Sequence, residues 1–260
     1  VIIHPTSTKT QTPEEVYIAA DLHLGTRPLA DSQARERRFC AWLDSIYPRA
    51  AELILLGDVF DFWFEYRQVV PRGYVRLLGR LAHWIDTGRR VTVYRGNHDM
   101  WYGNYLTEEL GIEVLDGLQQ RVWFGRTYAL AHGDGRGPGD YSYKRFKRFI
   151  RHPWVVRAFR ALHPDVGWRM ALQFSDTSRK ANADYKTRHY GDHEFLYQYA
   201  VRKAAQLPEV NYFVFGHRHY PERRPVSATA ELIVLGDWLT DNSYIRISPT
   251  ATELLRFVVN

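Results

Sequence analysis

Six short apolar runs, rich in branched and aromatic residues, recur along the chain: Val16–Ala20, Leu53–Leu56, Val91–Tyr94, Thr127–Ala131, Tyr212–Phe215 and Leu232–Leu235. Continuous runs of this length, bounded by polar and glycine positions, read as buried strands. Longer amphipathic stretches separate the early runs and predict helices near Ser32–Ile46, Tyr74–Thr87 and Asn104–Leu110. In the first of these, Phe39, Trp42, Leu43 and Ile46 fall on one helical face. Strand alternating with helix predicts a layered α/β fold.

The rhythm breaks at Gly135-Arg-Gly-Pro-Gly139, a loop signal. A basic, helical stretch follows, punctuated by Pro153 and Pro164. We read 135–190 as a helical insertion, or lid, on a core made of 1–134 and 191–260. A helix near His193–Gln206 returns the chain to that core. The segment Glu231–Val258 predicts a set of antiparallel strands. Within the insertion, Arg136, Lys144, Arg145, Lys147, Arg148, Arg151, Arg157 and Arg160 stand against the acid Asp140. Phe146, Phe149 and Ile150 form an apolar stripe between them, continued by Trp154, Val155, Val156, Phe159 and Leu162. The pattern admits two readings: a packed helix with a solvated basic face, or an element for a membrane surface or a lipid substrate.

Charge narrows the partners. The 260 residues carry a net charge of +6, which favours an anionic ligand or surface. No recognisable nucleic-acid module accompanies the charge, so nucleic acid is not the expected partner. The lone cysteine, Cys40, excludes an internal disulfide and reads as a small buried hydrophobe on a helix. No run approaches the ~20 apolar residues of a membrane span. Val1–Pro13 lacks a signal-peptide pattern. A cytoplasmic location is therefore expected.

Five motifs follow the strand-like runs: Asp21-Leu-His23, Gly57-Asp58-Val-Phe-Asp61, Gly96-Asn97-His98-Asp99, His132-Gly-Asp134 and Gly216-His217-Arg-His219. In layered α/β folds, ligands gather beyond the strand ends. Carboxylate, amide oxygen and imidazole, without thiolate, suit Mn²⁺, Fe²⁺ or Zn²⁺. A dinuclear centre needs one shared ligand, and Asp58 after a glycine turn can serve. Taken as extended segments, Asp21-x-His23 and His217-x-His219 each put two ligands on one side. Any one motif could be a turn; the ordered set points to a metal site. Gly236-Asp237 also follows a strand but has no partner motif, so Asp237 is expected not to be a ligand. The histidines outside the motifs (His4, His83, His152, His163, His189 and His193) are expected at the surface or in packing.

The ordered set resembles the calcineurin-like metallophosphoesterases, over residues 21 to 219. The resemblance implies a four-layer α/β/β/α sandwich, with the helical insertion as an addition to it, and two divalent metals, commonly manganese. It puts Asp21, His23, Asp58 and His219 on one metal and Asp58, Asn97, His132 and His217 on the other. It implies hydrolytic attack on phosphorus by metal-activated water. It also implies that His98 and Asn97 contact the phosphate, and that His98 serves as an acid on the leaving group, with Asp61 as its carboxylate partner.

A narrower resemblance, to the UDP-2,3-diacylglucosamine diphosphatases of lipid A synthesis, adds Asp140, Tyr143, Ser178, Asn182 and, one place off the family's lysine, Lys186 near the substrate. It implies a lipid-linked sugar nucleotide as substrate, an insertion over the acyl chains, and a peripheral position on the inner face of the cytoplasmic membrane. The well-characterised branch has Arg where this chain has His98. Two other readings stand beside it: a phosphodiesterase or nuclease of the same superfamily, and a silent protein-binding scaffold, which should have lost ligands.

Overall fold

The computed structural model describes residues 14–137, 141–187 and 189–258, with the side chains of Asp176 and of 178–187 outside the description. The first sheet contains β1 (Glu15–Ala19), β2 (Ala50–Leu55), β3 (Arg90–Tyr94), β4 (Glu113–Leu115), β10 (Ser243–Ile247) and β11 (Thr252–Arg256), in the order β11-β10-β1-β2-β3-β4. The second contains β5 (Gln119–Trp123), β6 (Arg126–Ala131), β7 (Tyr212–Phe215), β8 (Glu222–Pro225) and β9 (Glu231–Val234), in the order β5-β6-β7-β9-β8. Helices α1 (Leu29–Ile46), α2 (Val75–Asp86) and α3 (Tyr105–Leu110) connect the early strands, and α7 (Phe195–Ala204) precedes β7.

Period-two alternation sorts the strand residues into layers. Tyr17 and Ala19 pack with Phe39, Trp42 and Leu77 of the first helices. Val16, Ile18 and Ala20 point the other way, onto Tyr128, Leu130 and Val214 of the second sheet. Ala129, Ala131, Phe213 and Phe215 face away again, onto Leu196 and Ala200 of α7. The result is helix, sheet, sheet, helix, with apolar contact at every boundary. All six apolar runs are strands within a few residues. The expectation of purely antiparallel strands after Glu231 needs correction: β10 and β11 do pair antiparallel, but β9 runs parallel to β7 in the other sheet.

The stretch expected to form an insertion contains α4 (Tyr141–Ile150), α5 (Pro153–Arg160) and α6 (Pro164–Thr187). Pro153 and Pro164 stand at helix starts, where the missing N–H has no partner to lose. Phe149 departs from the expected stripe. It is 64% exposed against 39% for Phe146, and Phe146 and Ile150 line a cleft above the core. No helix among the described residues is long and apolar enough to cross a membrane.

Candidate metal centre

β1, β2 and β3 are parallel neighbours, as are β6 and β7. Their C-terminal ends therefore reach one edge of the sandwich. There the backbone turns left-handed at the functional residues themselves: φ is +56° at Asp21, +46° at His23, +51° at Asp58, +72° at His217 and +54° at His219. Such values are uncommon for residues with a Cβ and gather where surrounding structure holds strain for function. This corrects the extended geometry expected of Asp21-x-His23 and His217-x-His219. His217 and His219 separate into different clusters. Gly57, at φ +89°, lies so close to His132 that a Cβ there would meet Nδ1 at 2.5 Å.

Three groups result among the described residues. Asp21, His23 and His219 form the first, Asp58, His132 and His217 the second, and His23, Asp61 and His98 a third that shares His23 with the first. Within the first, the Nε2 atoms of His23 and His219 are 3.1 Å apart. Asp21 Oδ1 is 3.3 Å from His219 Nε2 and 3.8 Å from His23 Nε2. Asp58 Oδ2 lies between the first and second, 3.7 Å from His23 Nε2 and 3.3 Å from His132 Nε2. Asn97 Oδ1 joins the second cluster, 3.2 Å from His132 Nε2.

These groups fit divalent cations. Asp21 Oδ1 and Asp58 Oδ2 are buried and accept no hydrogen bond, an expensive state for a carboxylate oxygen unless a cation meets it. Their second oxygens are committed to backbone: Asp21 Oδ2 accepts from His217 N–H at 2.8 Å, and Asp58 Oδ1 from His98 N–H at 2.8 Å. The imidazoles turn Nε2 inward because Nδ1 is held from behind. His132 Nδ1 donates to the Leu56 carbonyl at 2.9 Å, His219 Nδ1 is 3.3 Å from Asp237 Oδ2, and His23 Nδ1 is 3.4 Å from Asp61 Oδ1. An outer acceptor behind a ligating imidazole is the usual arrangement at metals. Burial disfavours a charged His132, yet the adjacent Asp58 carboxylate carries its pKa up to about 10. Positive charge is what this rim calls for.

Three carboxylates brace the rim from outside. Asp99 accepts from the backbone N–H groups of Asp58, Val59 and Phe60 at 3.3, 2.7 and 3.2 Å, from Gly96 N–H at 2.8 Å and from the Tyr102 hydroxyl at 2.6 Å. Asp237, expected not to be a ligand, stands behind His219. Burial would raise its pKa, but His219 and the Thr240 donors hold it below the ordinary value. Asp134 accepts from Tyr143 at 2.7 Å and from Lys147 at 2.6 Å, tying α4 to the turn that carries His132.

Beside the metal rim lies a cleft of about 490 Å³. Asp61, Asn97 and His98 form its polar end; Trp101, Phe146, Phe159 and Phe174 form its apolar walls. Asp61 Oδ1 is 3.5 Å from His98 Nδ1. Tyr143 lines the cleft. Asp140 lies outside the described residues, and Ser178, Asn182 and Lys186 lie on α6 with side chains outside the description. Sequence reasoning overlooked Ser175, whose hydroxyl reaches both Asp61 and His98; nothing in its local pattern distinguishes it.

The calcineurin-like phosphoesterase family model matches residues 15–221. The UDP-2,3-diacylglucosamine hydrolase of Porphyromonas gingivalis is 37% identical over 243 residues, covering 88% of this chain and 92% of that protein. The protein of the same name from Escherichia coli O6:H1 is 28% identical over 241 residues, covering 92% and 97%. A solved phosphoesterase from E. coli, YfcE, aligns over 93% of this chain and 92% of its own, at 17% identity and a TM-score of 0.44. The family match spans Asp21 to His219, and the chain belongs to the calcineurin-like phosphoesterase family of hydrolases.

Proposed function

We propose that this chain hydrolyses the pyrophosphate of UDP-2,3-diacylglucosamine, releasing UMP and 2,3-diacylglucosamine 1-phosphate. Asp21, His23, Asp58 and His219 would hold one divalent cation, and Asp58, Asn97, His132 and His217 the other, with Mn²⁺ the expected ion. When bound, the cations activate water and neutralise charge on the phosphoryl oxygens. The water oxygen joins the uridylyl phosphorus, and the bridging oxygen leaves with the sugar 1-phosphate. Asn97 and His98 orient the phosphate at the polar end of the cleft, and Asp61 orients His98.

The observation that carries the substrate is the apolar cleft opening on His98. Aromatic walls can stack a nucleotide base, but an acylated sugar gains along the full length of an apolar cleft, since each buried CH₂ contributes roughly 0.8 kcal/mol. The names of the curated relatives agree with this reading. In the same reading 135–190 is the lid, and Asp140, Tyr143, Ser178, Asn182 and Lys186 contact the substrate. Exposed Tyr141, Phe149, Trp154 and Met170, with exposed Arg145 and Arg148 of α4, support a peripheral position on an anionic inner leaflet.

The test is UMP release from UDP-2,3-diacylglucosamine against release from UDP-GlcNAc. The acylated substrate should be far the better. Replacing Phe146 and Phe174 with Ser should lower its kcat/KM at least about 10-fold, the scale of lost apolar contacts in a pocket, with little change for UDP-GlcNAc. Equal use of both substrates by the wild-type protein would sink the lipid reading.

A further inference from the structure

A hydroxyl from the insertion stands among the groups around His98. Ser175, on α6, is 5% exposed. Its Oγ lies 3.0 Å from Asp61 Oδ2 and 3.1 Å from His98 Nδ1. The Asp61 backbone carbonyl is 3.2 Å from the same nitrogen, and Asp61 Oδ1 is 3.5 Å from it. Asp61 Oδ1 also faces His23 Nδ1 at 3.4 Å. The carboxylate is thus divided between two imidazoles and a serine.

Proton bookkeeping decides the direction of this network. An ionised carboxylate only accepts, and a serine has a single proton to give. That proton goes to Asp61 Oδ2, so the Oγ lone pair faces His98 Nδ1. The Asp61 carbonyl faces it too. A bare Nδ1 would meet lone pairs from several oxygens at once; a protonated one donates to them. His98 Nδ1 therefore carries hydrogen.

We propose that Ser175 is a positioning residue for His98. It fixes the Nδ1–H form and the ring angle, and it can do so only with α6 seated on the core. The lid then does more than cover a substrate: its seating completes the alignment of a group on the core. This inference rests on the reading that His98 acts on the phosphate.

The test is a double-mutant cycle on metal-loaded protein, with Ser175→Ala, His98→Ala and both together, assayed on UDP-2,3-diacylglucosamine. Ser175→Ala should lower kcat between about 10- and 100-fold, the cost of a misplaced group, with KM and metal content little changed. It should add almost nothing once His98 is Ala. Ser175→Thr, which keeps the hydroxyl, should restore most of the rate. In zinc-loaded protein, ¹⁵N signals of the imidazoles, with His98 identified by its loss in His98→Ala, should report a protonated Nδ1. An equal effect of Ser175→Ala with and without His98, or a bare Nδ1 in the wild type, would overturn the inference. Full turnover by His98→Ala would instead overturn the phosphate role of His98 on which the inference stands, a distinguishable result.

Discussion

Asp99 is the residue on which the rim depends most without touching it. Its carboxylate receives donors from the turns of two motifs and from Tyr102. Losing it leaves buried N–H groups unsatisfied, at about 1–3 kcal/mol each. Asp99→Ala should therefore destabilise the fold by more than about 3 kcal/mol and lower metal affinity. Asp99→Asn, which keeps an acceptor oxygen, should be milder. Denaturant melts and metal titration separate the two, and equal stability of Asp99→Ala and wild type would refute the bracing role. The residues of the clusters were legible because the chemistry demands fixed residue types directly after strands. The bracing roles of Asp99 and Asp237 were not, and Ser175 was not legible at all. A carboxylate that accepts backbone N–H bonds resembles any turn aspartate, and Ser175 meets Asp61 across 114 positions of chain.

At the scale of elements, α4 and the residue after it are tied to the sandwich at separate points. Lys147 and Tyr143 of α4 reach Asp134, Trp101 donates to the Ile150 carbonyl at 3.0 Å, and Arg151 pairs with Asp116 after β4. Burial tends to raise the Asp116 pKa, but the Arg151 hydrogen bond and charge prevail and hold it below the ordinary value. A carboxyl depressed in the folded state contributes stability above its unfolded pKa of about 3.9 and loses it as pH falls through the folded value. Hydrogen-exchange protection at the end of α4 should thus fall as pH drops below about 4, sooner than protection in β2. Arg151→Gln should remove that difference. Elements were legible where they were apolar. The strands that sequence reading passed over, β4, β5 and β8, are sheet edges. Edge strands carry polar and basic residues, as in Gln119-Gln-Arg121 and Glu222-Arg-Arg-Pro225.

For the whole molecule, folding and metal loading are one equilibrium. Asp21, Asp58, Asp61 and Asp99 are buried together within one edge of the sandwich, and their mutual repulsion falls when cations enter. A ligand present at 100 times its Kd stabilises by about 2.7 kcal/mol. Chelation should therefore lower Tm by several degrees, in line with about 2–4 °C per kcal/mol for a chain of this size, and Mn²⁺ should restore it. An unchanged Tm after complete metal removal, verified by elemental analysis, would uncouple the two. Alternation along the chain announced layered α/β structure. It could not say that β1 would join β10 or that β9 would join β7, because those pairings link distant segments whose local patterns are alike.

The left-handed backbone at Asp21, His23, Asp58, His217 and His219 imposes a selection of its own. These positions reject β-branched side chains whatever the protein does, and accept Gly and Asn most readily. In a mutational scan read out by abundance in the cell, Gly and Asn should outrank Val and Ile at all five. Gly or Asn at Asp58 should even accumulate above wild type in metal-starved cells, as expected where a functional site is held at the expense of stability. A lineage that lost the activity would leave a recognisable scar: glycine and asparagine where aspartate and histidine had been.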